Sequence, residues 1–366
     1  FSVSLKHDKQ IVLMYRRISW FHFTQKFVRF SSSIPFLGLC GPMICSNARD
    51  GKLVLERMSF YGRHAGYIRL SSHNNMPSRK VKQAIQNKEQ DEGVGAKVRR
   101  SVGSNQLRNF DPFLLLDDFS VKAPAGFPDH PHRGFETVTY VLEGGVTHED
   151  FCGHKGTIHP GDLQWMTAGR GIVHCEMPHG TEQAHGLQLW VNLASKDKMT
   201  APAYQELLDK DIPKTKQNGV HVKVIAGESL GIKSPVYTRT PTMYLDFQLD
   251  QGAALNQPIP QGWNSFIYTL SGKATFGEGS AAKQHEAHNT LVLDQNGDGI
   301  RVENKSPELC RFVLIGGKPL GEPVKQHGPF VMNTPEEIQQ AMFDYQMGKN
   351  GFENASRWES DYVKQR

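Results

Sequence analysis

Cysteine is scarce in this 366-residue chain. There are five (Cys40, Cys45, Cys152, Cys175 and Cys310), an odd number with none of the paired spacings of a zinc or iron–sulfur site, so they read as free thiols in a reducing compartment. Long apolar runs are also missing. The greasiest piece, residues 34–45, is short and broken by glycine, so no membrane-crossing helix is expected. Acidic residues are nearly absent from the first 75 positions, which hold eleven basic side chains against three acidic ones. That surplus of eight exceeds the whole chain's net +5 and leaves residues 76–366 at about −3. A core of that charge lacks the basic stripe of a DNA-binding domain, so no direct DNA contact is expected. The leader also lacks an initiator Met and any regular periodicity. It reads as a disordered, transit-like or non-coding extension that adds nothing to the fold, with Met76 a natural start; import into an organelle through residues 1–75 stays open.

What is abundant is glycine (35) and proline (20), with short apolar runs between them, as in a protein made of strands and turns. Hydrophobic residues at 38% and charged ones at 22% are globular composition, and the length suggests two or three units. Residues 126–176 hold the chemistry. Phe127-Pro128-Asp129-His130-Pro131-His132-Arg133-Gly134-Phe135-Glu136 opens this stretch, and Gly171-Ile172-Val173-His174-Cys175-Glu176 closes it. Side chains alternate along a strand, so His130 and His132 share a face, as do His174 and Glu176, while Cys175 turns away. Two such pairs facing each other make a metal site. Three imidazoles and one carboxylate suit a first-row ion such as Fe, Mn, Ni, Cu or Zn and leave coordination positions open, as catalysis needs. Spacing alone does not choose between Glu136 and Glu176 as the carboxylate ligand, because Glu136 also lies an even number of residues from His132. Arg133-Gly134, however, interrupts the strand before Glu136.

His130-x-His132 with Glu136, then Pro160-Gly161-Asp162 and Gly171-Ile172-Val173-His174, resemble the two halves of the cupin signature. Residues 129–136, 161–171 and 185–192 resemble the pirins more specifically, and the likeness runs from about Gln90 to the C-terminus. The resemblance implies an all-β bicupin, two jelly-roll β-barrels in tandem with a short C-terminal helical segment. It implies one mononuclear Fe(2+), other divalent first-row metals being possible, held by His130, His132, His174 and Glu176; that Glu176 also serves as the catalytic base is a chemical inference from its place beside the metal. The expected divisions are 84–200 for a metal-bearing barrel, 201–235 for a linker with a helical piece at Tyr204-Gln205-Glu206-Leu207-Leu208, 236–330 for a barrel without metal, and 331–366 for a tail packing on the first barrel. Tyr268-Thr269-Leu270-Ser271-Gly272 repeats Tyr140-Val141-Leu142-Glu143-Gly144, yet Pro258-Ile259-Pro260-Gln261-Gly262-Trp263 stands where the repeat's histidines would be. His285 and His288 read as solvated loop residues. Thr334-Pro335-Glu336-Glu337 reads as a helix start.

Two functions follow from the resemblance. One is a quercetin (flavonol) 2,3-dioxygenase, in which a small flavonol is the ligand. The other is a nuclear co-regulator or redox sensor whose partners are proteins, namely transcription factors or a G-protein α subunit. A monomer in nucleus and cytoplasm, away from membranes, is expected in either case. A cavity above the metal large enough for a flat three-ring molecule would favour the enzyme, and a closed site the sensor.

Overall fold

The computed structural model describes residues 76–93 and 95–364, together with the backbone of three short strands in the leader, Gln10–Val12, Ile44–Arg49 and Lys52–Arg57, which pair antiparallel in that order. Residues 1–70 are a unit of their own. Otherwise the expectations for residues 1–75 lie outside the described residues. No helix among the described residues is long and apolar enough to cross a membrane.

Residues 76–364 form two barrels, each a seven-stranded antiparallel sheet closed by a four-stranded one. The seven-stranded sheets lie face to face, because alternate positions along their strands are bulky and apolar on both sides. Leu187, Leu189, Val138 and Tyr140 of the first meet Tyr244, Phe266, Tyr268, Val313 and Ile315 of the second in one buried cluster. Two tyrosine hydroxyls reach across this contact. The Tyr140 hydroxyl donates to Asp246 at 2.7 Å, and the Tyr268 hydroxyl donates to Asp118 at 2.7 Å, so each barrel sends a tyrosine to the other's aspartate. The repeat seen around Tyr140 and Tyr268 is therefore where the two halves grip each other.

The chain divides differently from the expected boundaries. Strand Val81–Gln86 does not belong to the first barrel; it pairs with Asn289–Leu293 at the edge of the second barrel's large sheet, across some two hundred residues of sequence. The expected linker is also part of the sheets. Its first segment is not helical: Ala203–Leu207 is a strand on Leu163–Thr167, since an open sheet edge offers that backbone a full ladder of hydrogen bonds and outweighs local helix preference. Lys214–Gln217 and Val220–Ala226 then form a hairpin on the second sheet, turned by Asn218 and Gly219, both with positive φ (50° and 77°) as a tight two-residue hairpin turn demands.

The tail turns helical over Pro335–Met347. Thr334 caps it through the Glu337 amide, the Glu337 side chain returns to the Thr334 amide, and Gly348 ends it in the left-handed region. Ile338 and Ala341 pack with Phe330, Met332 and Phe352 against Met166, Ala168, Ile172 and Val173 of the first barrel.

Candidate metal centre

Strands Phe127–His132 and Ile172–Pro178 are antiparallel neighbours in the four-stranded sheet, with His174 directly opposite His130. The register slips between His174 and Glu176, the latter standing opposite Phe127, so an extra residue is accommodated at Pro128 and Asp129. Such a bulge re-aims side chains without breaking the strand. His130, His132 and His174 converge, their candidate ligand nitrogens all within 4.8 Å of one another. His130 Nε2 and His174 Nε2 are 3.1 Å apart.

The electrostatics favour neutral imidazoles. Burial, reinforced by the neighbouring His130, holds His132 and His174 well below the ordinary histidine range; burial also lowers His130. His130 Nδ1 lies 2.8 Å from the Pro128 carbonyl, which can only accept, so the ring proton sits there and Nε2 offers a lone pair to the cluster. Three neutral nitrogens converging from rigid strands fit a divalent first-row ion.

Glu176 lines the same cavity but does not join the histidine group, and both its oxygens are taken up by other side chains. Oε1 is 2.7 Å from the Thr139 hydroxyl and Oε2 accepts from the Gln188 amide nitrogen at 2.8 Å. Thr139 Oγ1 is also 2.8 Å from Gln188 Oε1. Glu136 does not reach the cavity. It is fully buried on the large sheet, where its Oε1 accepts from Thr167 and burial raises its pKa. Cys175 is buried outside the cluster, and burial pushes its thiol up to about 11.

The cavity has a volume of about 790 Å³ and opens onto His130, His132 and Glu176. Phe119, Phe127, Leu114 and Trp190 line its walls, with Trp190 edge-on to His132 at 5.2 Å between ring centres.

Thr139 and Gln188 received no role from the sequence. Their signal is polarity at alternate positions of strands otherwise made of Val, Tyr and Leu, which marks a polar barrel interior. His288 lies on a turn with its side chain still 37% exposed, but it also stands 3.5 Å from Asp118 and from the Tyr268 hydroxyl, beside His185 at the contact between barrels. His285 is half-buried against Phe276.

Comparison with known proteins agrees with this geometry. The Pirin family model matches residues 95–191, and the Pirin C-terminal cupin domain matches residues 244–351. "Pirin" of Homo sapiens is 62% identical over 284 residues, covering 77% of this chain and 98% of its own length. A "Pirin-like protein" of Solanum lycopersicum is 62% identical over 271 residues, covering 74% and 92%. Among solved structures, a quercetin 2,3-dioxygenase from Acinetobacter baumannii is similar at a TM-score of 0.68 and 36% identity, over 75% of this chain and 99% of that one. With two cupin barrels, a histidine triad in the first and these relatives, the chain belongs to the pirin family.

Proposed function

We propose that this protein is a mononuclear iron(II) dioxygenase acting on a flavonol such as quercetin. The observation that carries the reading is the cavity of about 790 Å³, walled by aromatic and aliphatic side chains together with charged ones such as Arg100 and Asp117, and opening onto His130 and His132 of the histidine triad. Its size and lining suit a flat three-ring ligand with one polar edge. The resemblance of the fold to a quercetin 2,3-dioxygenase supports the same substrate class.

His130, His132 and His174 would hold the ion, with Glu176 able to add a carboxylate. Bound there, iron(II) would supply Lewis acidity for the enolic oxygen of the substrate and a meeting point for dioxygen. The chain's own residues supply the rest. Trp190, Phe119 and Phe127 give the rings apolar walls to pack against. Glu176 takes the proton of the flavonol 3-hydroxyl. Thr139 and Gln188 are arranged to receive it: the Thr139 hydroxyl has one proton for two oxygens, Glu176 Oε1 and Gln188 Oε1. A proton arriving on Oε1 turns that contact round, so that Glu176 donates to Thr139 and Thr139 donates to Gln188. Every oxygen in the chain is then satisfied.

A closed site would have favoured the redox-sensing, partner-docking alternative; the open cavity favours the enzymatic reading over it. The test is oxygen uptake with quercetin by anaerobically purified, iron-loaded protein, normalised to bound iron. Consumption of oxygen together with quercetin supports the proposal, whereas fully loaded protein that leaves quercetin intact contradicts it.

A further inference from the structure

The residue after His132 is an arginine, and it is 1% exposed. Each arm of its guanidinium is engaged. Nη1 pairs with Asp344 Oδ2 at 2.8 Å, Nη2 donates to the Asn350 carbonyl at 2.7 Å, Nε donates to the Arg170 carbonyl at 2.6 Å, and the group lies 4.7 Å from the Phe352 ring centre. Asp344 and Asn350 belong to the C-terminal tail, while Arg170 lies just before the strand that carries His174. Asp344 in turn accepts from Gln340 and Asn350, both at 2.8 Å.

A second buried cation works on the next residue. Lys198, also 1% exposed, donates to the carbonyls of Gly134 and Val331 at 2.9 and 3.1 Å and to Asn192 Oδ1 at 2.6 Å. The backbone completes the tie. The Arg133 amide donates to the Pro329 carbonyl at 3.2 Å, and the Val331 amide donates to the Arg133 carbonyl at 3.0 Å. Gly134 has φ 91°, and a Cβ there would stand 1.9 Å from the Val331 carbonyl oxygen, so the tail presses on this turn too closely for any side chain. Neither Arg133 nor Lys198 lines the cavity. Two desolvated cations are a costly way to hold a turn where packing alone would do, unless its exact placement matters.

We propose that Arg133, through its ion pair with Asp344, is a positioning residue for the metal centre. The C-terminal tail fixes the end of the His130–His132 strand relative to His174, so metal affinity in the first barrel depends on a helix more than two hundred residues away in sequence. This rests on the metal reading of the three histidines.

The test uses the full chain, kept anaerobic, with Co(2+) as the probe and a chelator as competitor. Asp344→Asn is compared with Asp246→Asn, which breaks the ion pair to Arg311 at the contact between barrels and does not touch the metal turn. Both variants lower the melting temperature. Asp344→Asn should weaken Co(2+) binding by about 10- to 100-fold, as loss of a group that orients ligands does, and alter the ligand-field absorption of the bound cobalt. Asp246→Asn should change the affinity by less than about threefold, because distant sites act independently. Equal losses in the two variants would overturn the proposal, since affinity would then follow stability alone. If the wild type binds no Co(2+), the reading of the histidines itself fails. Should Asp344→Asn not fold, Phe352→Leu keeps an apolar side chain in that cluster and removes the ring over Arg133 together with its contacts to Phe330 and Tyr345, and an affinity and cobalt spectrum unchanged from wild type in that variant would equally refute the tie.

Discussion

The two barrels share a strand plan and differ in what they put inside it. In the first, Gln164, Thr139 and Gln188 stand side by side across three neighbouring strands. With Tyr140 aligned on Tyr268, the same three places in the second barrel hold Leu291, Ile267 and Leu314. There they join Val222, Leu245, Phe247, Phe276 and Phe312 in a filled apolar core. The scaffold is thus indifferent to chemistry. What makes one copy a candidate metal centre is an interior that trades close packing for a cavity, imidazoles and a hydrogen-bonded carboxylate.

Several substitutions sharpen that contrast. Glu176→Gln keeps the shape of the side chain and removes its basicity, so oxygen uptake per bound iron should fall by about 10²–10⁴-fold while the fold is retained; unchanged uptake per iron would remove the base role. In the other barrel Leu314→Ala opens a hole in a filled core. It should cost about 2–5 kcal/mol of stability and leave metal content in the folded protein unaltered, as measured by denaturant unfolding and metal analysis. Thr139→Val gives the first barrel a residue of the second barrel's kind and leaves a buried Glu176 oxygen without a donor. A loss of about 1–3 kcal/mol is expected, with slower turnover per iron.

How much of this could be read in advance depends on the range of the interaction. His130, His132 and His174 were legible because alternation along a strand is a local rule, and the structure brings those three together; Glu176 lines the same cavity with its oxygens on Thr139 and Gln188. Gly134 showed why Glu136 should leave that face, and the structure puts Glu136 elsewhere. The capped helix at Thr334 was legible for the same local reason. By contrast, nothing near residues 81–86 says that they will pair with 289–293, and nothing near 203–207 reveals an open edge at Leu163–Thr167. Arg133, Lys198 and His288 act through partners far away in sequence, so each looked like an ordinary polar residue.

The smallest expected effect concerns the contact between barrels. Burial works to raise the pKa of Asp118, but hydrogen bonds from His185, His288 and Tyr268 outweigh it and hold the carboxyl well below the ordinary range. A depressed folded value means stability that is present above the unfolded value near 4 and lost as pH falls towards the folded one. Asp118→Asn should therefore flatten the acid limb of the stability profile below about pH 4, by up to one proton's worth of slope. An unchanged limb would show that the two histidines do not support this carboxylate.

The central claim is that one metal sits in the first barrel on the histidine triad and none in the second. Metal analysis of the wild type and of His174→Ala, purified side by side without oxygen, tests it most directly. The account predicts about one equivalent of iron per chain in the wild type and next to none in the variant, with both folded. Iron retained at full stoichiometry by His174→Ala would place the metal elsewhere and contradict it.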